Sequence, residues 1–145
     1  MENLNFKFLE HTADKKFQAF GNSLEECFIN AALALKSVFY EKEVKSTIEK
    51  QINIKGTDLE NLMVNFLEEL LVLFETEEFL LSSISYLSIS STGGLKRKSF
   101  KLFAVLHGDS AKNYKIEGSV KAITYYDIFV KKEKDKYICQ VVVDV

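Results

Sequence analysis

The chain has 145 residues, 47% apolar and 28% charged, which suits one domain spanning 1–145 with a sizeable core and excludes wholesale disorder. A formal charge of −2 excludes a general basic coat for nucleic acid, so no stable direct nucleic-acid binding is expected. No run approaches the ~20 apolar residues of a membrane span, and Met1-Glu2-Asn3-Leu4-Asn5 lacks the features of a signal peptide, so the expected setting is cytoplasmic, without membrane contact.

Leu4, Phe6 and Phe8 alternate along a first predicted strand, and Phe17 and Ala19 along a second, the period of a half-buried β segment. A helix then starts at Ser23, where Ser23 and Glu26 match a capping box. Leu24, Phe28, Ala31, Ala32, Leu35 and Val38 form its apolar face, and the helix is expected to stop near Phe39 or Tyr40. Its three alanines, Ala31, Ala32 and Ala34, leave room for close packing. Ile48, Ile52 and Ile54 mark a third strand.

The segment 57–76 carries the clearest helical signal. Thr57 and Glu60 match a second capping box, and Leu59, Leu62, Met63, Phe66, Leu67, Leu70 and Phe74 recur at three- and four-residue steps. Glu68 falls opposite that stripe, and Asn65 and Glu69 fall at its border. Further strands are expected around 83–90, 95–107, 114–117, 122–131 and 136–145. Thr92-Gly93-Gly94 and Glu133-Lys134-Asp135-Lys136 supply the short turns that make antiparallel pairs. With no proline in the chain, Gly, Asn, Asp and Ser must set the boundaries. The expected class is α+β, a single domain with a mostly antiparallel or mixed β-sheet and two amphipathic helices packed on one side.

Cys27 and Cys139 are the only cysteines. They show no metal or disulfide spacing and read as small core residues. There is no G-x-S-x-G elbow, P-loop or G-x-G-x-x-G fingerprint. The Lys96-Arg97-Lys98 cluster with Phe100 and Lys101 could touch phosphate, but it directly follows Thr92-Gly93-Gly94, where a charged hairpin rim is the commoner explanation. Lys121 stands between apolar residues, either to pair with an acid or to snorkel from an edge strand.

Oxygen chemistry is concentrated elsewhere. The apolar run Ile138 to Val145 closes on Asp144, which shares a strand face with Ile138, Gln140 and Val142. If Val145 is the natural end, its main-chain carboxylate lies beside the Asp144 side chain. A solvated strand end explains this without function; a divalent cation or an acidic contact with a partner explains it with one. In His11-Thr12-Ala13-Asp14, Thr12 and Asp14 are natural turn formers. Functionally, Asp14 would face Asp144, with His11 joining or orienting the site. Carboxylates without thiolates favour Mg²⁺, Ca²⁺ or Mn²⁺ over zinc.

Three segments taken in order resemble the archease family. They are Glu10-His11-Thr12-Ala13-Asp14 leading to Ser23-Leu24-Glu25-Glu26-Cys27-Phe28; Asp58-Leu59-Glu60-Asn61-Leu62 through Phe66-Leu67-Glu68-Glu69-Leu70-Leu71; and Val120-Lys121-Ala122-Ile123-Thr124-Tyr125 with Val143-Asp144-Val145. The resemblance implies a protein activator of the tRNA-splicing RNA ligase, which joins 2′,3′-cyclic-phosphate or 3′-phosphate ends to 5′-hydroxyl ends. It implies help with the ligase's guanylylation by GTP and its repeated turnover, not an enzyme in its own right. By the same resemblance, Asp14, Asp144 and the Val145 carboxylate hold a divalent cation, with Ca²⁺ favoured and Mn²⁺ or Mg²⁺ as alternatives. Lys121 and Glu69 match the family's lysine and helix glutamate.

The chain departs from the family pattern at Tyr126, where histidine is common, and at Asn65 and Phe66, where aspartate and tryptophan are common. His11 is the available substitute donor. Two other readings remain: a standalone metal-dependent phosphoester hydrolase, for which no nucleophile or general base is evident, and a general chaperone or docking module.

Overall fold

The computed structural model describes residues 5–10, 13–93 and 98–145. In chain order the elements are β1 (Phe6–Leu9), β2 (Lys15–Gly21), α1 (Leu24–Phe39), β3 (Ile48–Gly56), α2 (Leu59–Glu77), β4 (Phe79–Thr92), β5 (Ser99–Ser110), a 3₁₀ turn (Ala111–Asn113), β6 (Ala122–Glu133) and β7 (Lys136–Asp144). Leu4, His11, Thr12, Gly94, Leu95, Lys96 and Arg97, all used in the sequence reading, lie outside the described residues.

Ser23 caps α1 as expected. Its hydroxyl accepts the Glu26 N–H at 3.1 Å, and the Glu26 carboxylate accepts the Asn22 N–H at 3.1 Å. The helix gives way to extended chain at Tyr40. At α2 the cap is Asp58, one residue beyond the expected Thr57. The Asp58 carboxylate accepts the Asn61 N–H at 2.7 Å, and the Asn61 side chain accepts the Thr57 N–H at 3.0 Å. The reciprocal device survives, with Asp and Asn replacing Thr and Glu. Aspartate serves this position well because its charge also faces the positive end of the helix dipole.

β1, β2, β7 and β6 lie side by side in one sheet, and β3, β5 and β4 in another, every pair antiparallel. The α+β class therefore holds. The strands divide between two sheets, and each helix contacts strands of both rather than lying over one side of a single sheet. This arrangement explains why burial on α2 extends past the expected stripe to Val64, Leu71 and Leu73. It also explains why Ala31, Ala32 and Ala34 are all fully buried: small side chains let neighbours approach α1 closely. Phe28 and Phe66 meet between the helices with ring centroids 5.9 Å apart. Each contributes roughly 1.5–3 kcal/mol by leaving water.

The expected strand at 114–117 does not form. Its ends bond elsewhere: the Tyr114 N–H donates to the Ala111 carbonyl at 3.1 Å, and the far end turns to α1. The Glu117 N–H donates to the Phe39 carbonyl at 2.8 Å, satisfying an oxygen that the helix end leaves open. A Cβ on Gly118 would stand 2.4 Å from the Val38 carbonyl oxygen, so only glycine permits this approach.

Candidate functional site

Lys15, the first residue of β2, stands opposite Val143 of β7. Continuing that antiparallel register one residue outward sets Asp14 opposite Asp144. Asp144 in turn pairs with Ala122, the first residue of β6, and its carbonyl accepts the Lys121 N–H at 2.7 Å. Three of the singled-out residues, from distant parts of the chain, thus gather at one end of the sheet. Cys139, Val141 and Val143 turn into the core, all fully buried, so Asp144 shares the other face with Val142 and Gln140, as expected.

Asp14 and Asp144 are half-buried. Among the described residues, neither side-chain carboxylate has a hydrogen-bond or ion-pair partner. Val145 lines an adjoining open cleft of about 490 Å³ with Lys15, Ser37, Glu41, Glu117 and Ser119. Two neighbouring acids without a cationic partner repel, and a divalent ion relieves that repulsion. The donors are all oxygen, the chemistry of a hard cation. Among the described residues no three His, Cys, Asp or Glu side chains gather. A cation here would draw on two side-chain carboxylates and water, with the main-chain carboxylate added where Val145 ends the protein.

The other candidates are placed less closely. Lys121 is exposed, and its ammonium forms no ion pair among the described residues. Glu68 is exposed and Glu69 half-buried on α2, and no hydrogen bond or ion pair links Glu69 to the acidic end. His11 lies outside the described residues. Cys27 and Cys139 are fully buried free thiols. Cys27 donates to the Ala19 carbonyl at 3.5 Å, and the Cys139 thiol is pushed up by Cys27 beside it and by burial. Both are core residues.

One neighbouring feature escaped the sequence reading. In β6, Thr124 pairs with Val142 and Phe129 with Gln140, so Tyr125 through Ile128 bulge out against Val141 alone. Three links hold this excursion. Asn61 of α2 donates to the Tyr125 hydroxyl at 2.7 Å, Lys16 pairs with Asp127 at 3.2 Å, and Gln140 donates to the Asp127 carbonyl at 2.8 Å. Asp127 has φ 53°, a left-handed conformation that Asp tolerates better than most residues. The sequence signal was the break in alternation at Tyr125-Tyr126-Asp127.

A two-helix, two-sheet α+β protein with acids, unpartnered among the described residues, where β2 and β7 pair is the class these features define. A model of the archease protein family matches residues 6–145. The archease of Methanosarcina barkeri is 36% identical over 143 residues, covering 97% of this chain and 95% of that one. That of Pyrobaculum islandicum is 37% identical over 149 residues, covering 98% and 96%. The chain belongs to the archease family. Two solved structures share its fold. The solution structure of Methanobacterium thermoautotrophicum protein 1598 has a TM-score of 0.77 at 24% identity, over 99% of this chain and all of that one. The crystal structure of a Thermotoga maritima archease, described as a possible chaperone, has a TM-score of 0.63 at 22% identity, over 96% of each chain. No helix among the described residues is long and apolar enough to cross a membrane.

Proposed function

We propose that this chain is a metal-binding protein cofactor that activates a tRNA-splicing RNA ligase in the cytoplasm, promoting its GTP-dependent guanylylation and repeated turnover. The observation that carries the reading is the meeting of Asp14, Asp144 and Lys121 at one sheet end, joined to family membership. Asp14 and Asp144, with the Val145 carboxylate where that residue is the natural end, would hold a divalent cation, Ca²⁺ foremost and Mn²⁺ or Mg²⁺ as alternatives. The cation would neutralise the clustered carboxylates and offer open positions to oxygen ligands from the partner. Lys121, held by its own N–H on Asp144, would present a cation beside that site to an acidic or phosphate group of the ligase complex. Glu69 and His11 are further candidates for activation.

The test is multiple-turnover RNA joining by the cognate ligase. Substoichiometric amounts of this protein should raise the yield, and ligase already carrying GMP should seal without its help. No labelled GMP should become attached to this chain, which has no evident nucleophile of its own. No stimulation at any step would refute the activator reading. Stimulation indifferent to Asp14 and Asp144 would favour a general docking or chaperone role, and the Thermotoga maritima archease is described as a possible chaperone.

A further inference from the structure

On the β3-β5-β4 sheet, Ile52, Ile54, Leu102, Ala104, Leu106 and Leu87 are buried. The alternate residues therefore form the opposite face. The register sets that face out in rungs: Gln51, Val105 and Tyr86; then Asn53, Phe103 and Ser88; then Lys55, Lys101 and Ser90. Tyr86 is 55% exposed, and its ring lies 6.1 Å from that of Phe103 at an interplanar angle of 54°. The extra residue that lets Tyr86 take this place is Ser85, skipped in the β4–β5 register and fixed by a 2.8 Å hydrogen bond between its hydroxyl and His107 Nε2.

The next feature is electrostatic. Lys55 and Lys101 are direct cross-strand partners, and both are exposed. Like charges directly opposite destabilise a sheet. Among the described residues neither ammonium is paired with a carboxylate, although the family of acids on this chain is large enough to have supplied one. Exposed Lys98 lies just before β5, at the same end of the sheet. Phe103 lies two residues along β5 from Lys101, about 7 Å away at ~3.4 Å per residue, and Tyr86 lies one rung beyond it. Unpaired cations beside one exposed ring, Tyr86, and one half-buried ring, Phe103, flanked by amide and hydroxyl side chains, match the two needs of a single strand of nucleic acid: charge for phosphate and flat apolar surface for bases.

We propose that this outer face binds single-stranded nucleic acid, with bases stacking on Tyr86 and Phe103 and adjacent phosphates held by Lys55 and Lys101. Asn53, Gln51 and Ser88 lie where base edges would fall. The overall charge of −2 excludes a general field, and a local platform does not depend on one. With so few cations the affinity is modest, with Kd on the order of 10 µM at low salt. The site lies on the other sheet from Asp14 and Asp144.

The experiment is fluorescence anisotropy with labelled oligouridine, oligothymidine and a duplex, using the whole chain and no ligase, so its outcome is independent of the activator reading. Both single strands should bind and the duplex should not, because paired bases hide their faces. Tighter binding of the oligouridine would add the 2′-hydroxyl to what is recognised, and equal binding would leave stacking and phosphate as the whole of it; both support the site. Tyr86→Ala should weaken binding about tenfold, whereas Tyr86→Phe should bind like the parent. Replacing Lys55 and Lys101 together by glutamine should lower the slope of log K against log salt by about 1.4. Tyr86 is exposed enough that its variants fold, which circular dichroism checks. Absence of single-strand binding at ~100 µM, on the weak side of ordinary nonspecific affinity, would overturn the proposal. So would equal duplex affinity, unchanged binding by Tyr86→Ala, or loss of self-association in that variant with no effect on oligonucleotide binding.

Discussion

The Lys121 N–H donates to the Asp144 carbonyl at 2.7 Å, so the chain entering β6 is pinned by the residue that closes β7. Because the bond is between main chains, changing the Lys121 side chain leaves it in place. Lys121→Ala should therefore keep the fold while reducing ligase stimulation by on the order of tenfold, the scale of one lost charge-assisted contact. Lys134→Ala, at the exposed turn between β6 and β7, should alter stability by less than ~0.5 kcal/mol and leave stimulation intact. Equal stimulation by the parent and Lys121→Ala would remove Lys121 from the mechanism.

Cation binding should register as stability. At a free cation concentration of 100 times Kd, linkage adds roughly 2.7 kcal/mol, raising Tm by about 5–10 °C for a chain of this size. Calcium, manganese and magnesium titrations in a thermal melt measure this directly. Asp14→Asn and Asp144→Asn should each weaken binding by on the order of tenfold, since affinity at such sites follows ligand charge. A residue added after Val145 should also weaken it. An unchanged melt in every cation would count against the site, and unchanged affinity in the extended chain would remove Val145 alone.

Asp109 predicts an acid limb of stability. It is 5% exposed and accepts from the Thr47 hydroxyl at 2.6 Å, the Tyr114 hydroxyl at 2.8 Å, the Ser110 N–H at 2.9 Å and the Asn113 amide at 3.3 Å. The Thr47 and Tyr114 bonds chiefly hold its pKa down at about 2, against an ordinary 3.8. A pKa lowered by folding means the unfolded chain binds the proton more readily. The stabilisation is therefore complete above pH ~4 and is lost as the pH falls toward 2. Urea midpoints for the parent and Asp109→Asn should lie furthest apart near neutrality and converge between those two values. A constant gap across that window would show that the carboxylate charge is not what matters.

The cap of α2 offers a local check. Asp58→Ala should destabilise by about 1 kcal/mol, lowering Tm by roughly 2–4 °C. Thr57→Ala should do less, because the Thr57 hydroxyl has only a 3.4 Å contact to Asn61, whereas its N–H bond survives the substitution. The reverse order would restore Thr57 as the cap.

Legibility followed the range of the interactions. The helices were readable because Leu62, Phe66 and Leu70 repeat on one face within a single segment. Burial of Val64 and Leu73 was not, because it depends on a second sheet brought against α2 from elsewhere. Residues 114–117 alternate like a strand, yet strand formation requires an available neighbour, and Glu117 found the end of α1. The chemistry of Asp14 and Asp144 could be read from residue type and family likeness. Their adjacency became readable only once Lys15 was set against Val143. The bulge at Tyr125–Ile128 depends on what Val141 leaves unpaired, so the run at 122–131 looked like one uninterrupted strand.

β7 lies between β2 and β6 in its sheet yet follows both in the chain. As the chain leaves the ribosome, β2 and β6 each wait with an unpaired edge until the strand that joins them appears. Such a long-range closure is slow, and open edges invite pairing with other chains. Newly made protein should consequently pass through an aggregation-sensitive interval that ends only when the segment bearing Asp144 docks. The step that joins β2 to β6 is then the same one that brings Asp144 beside Asp14, so a nascent chain lacks the acidic pair until its last strand is in place.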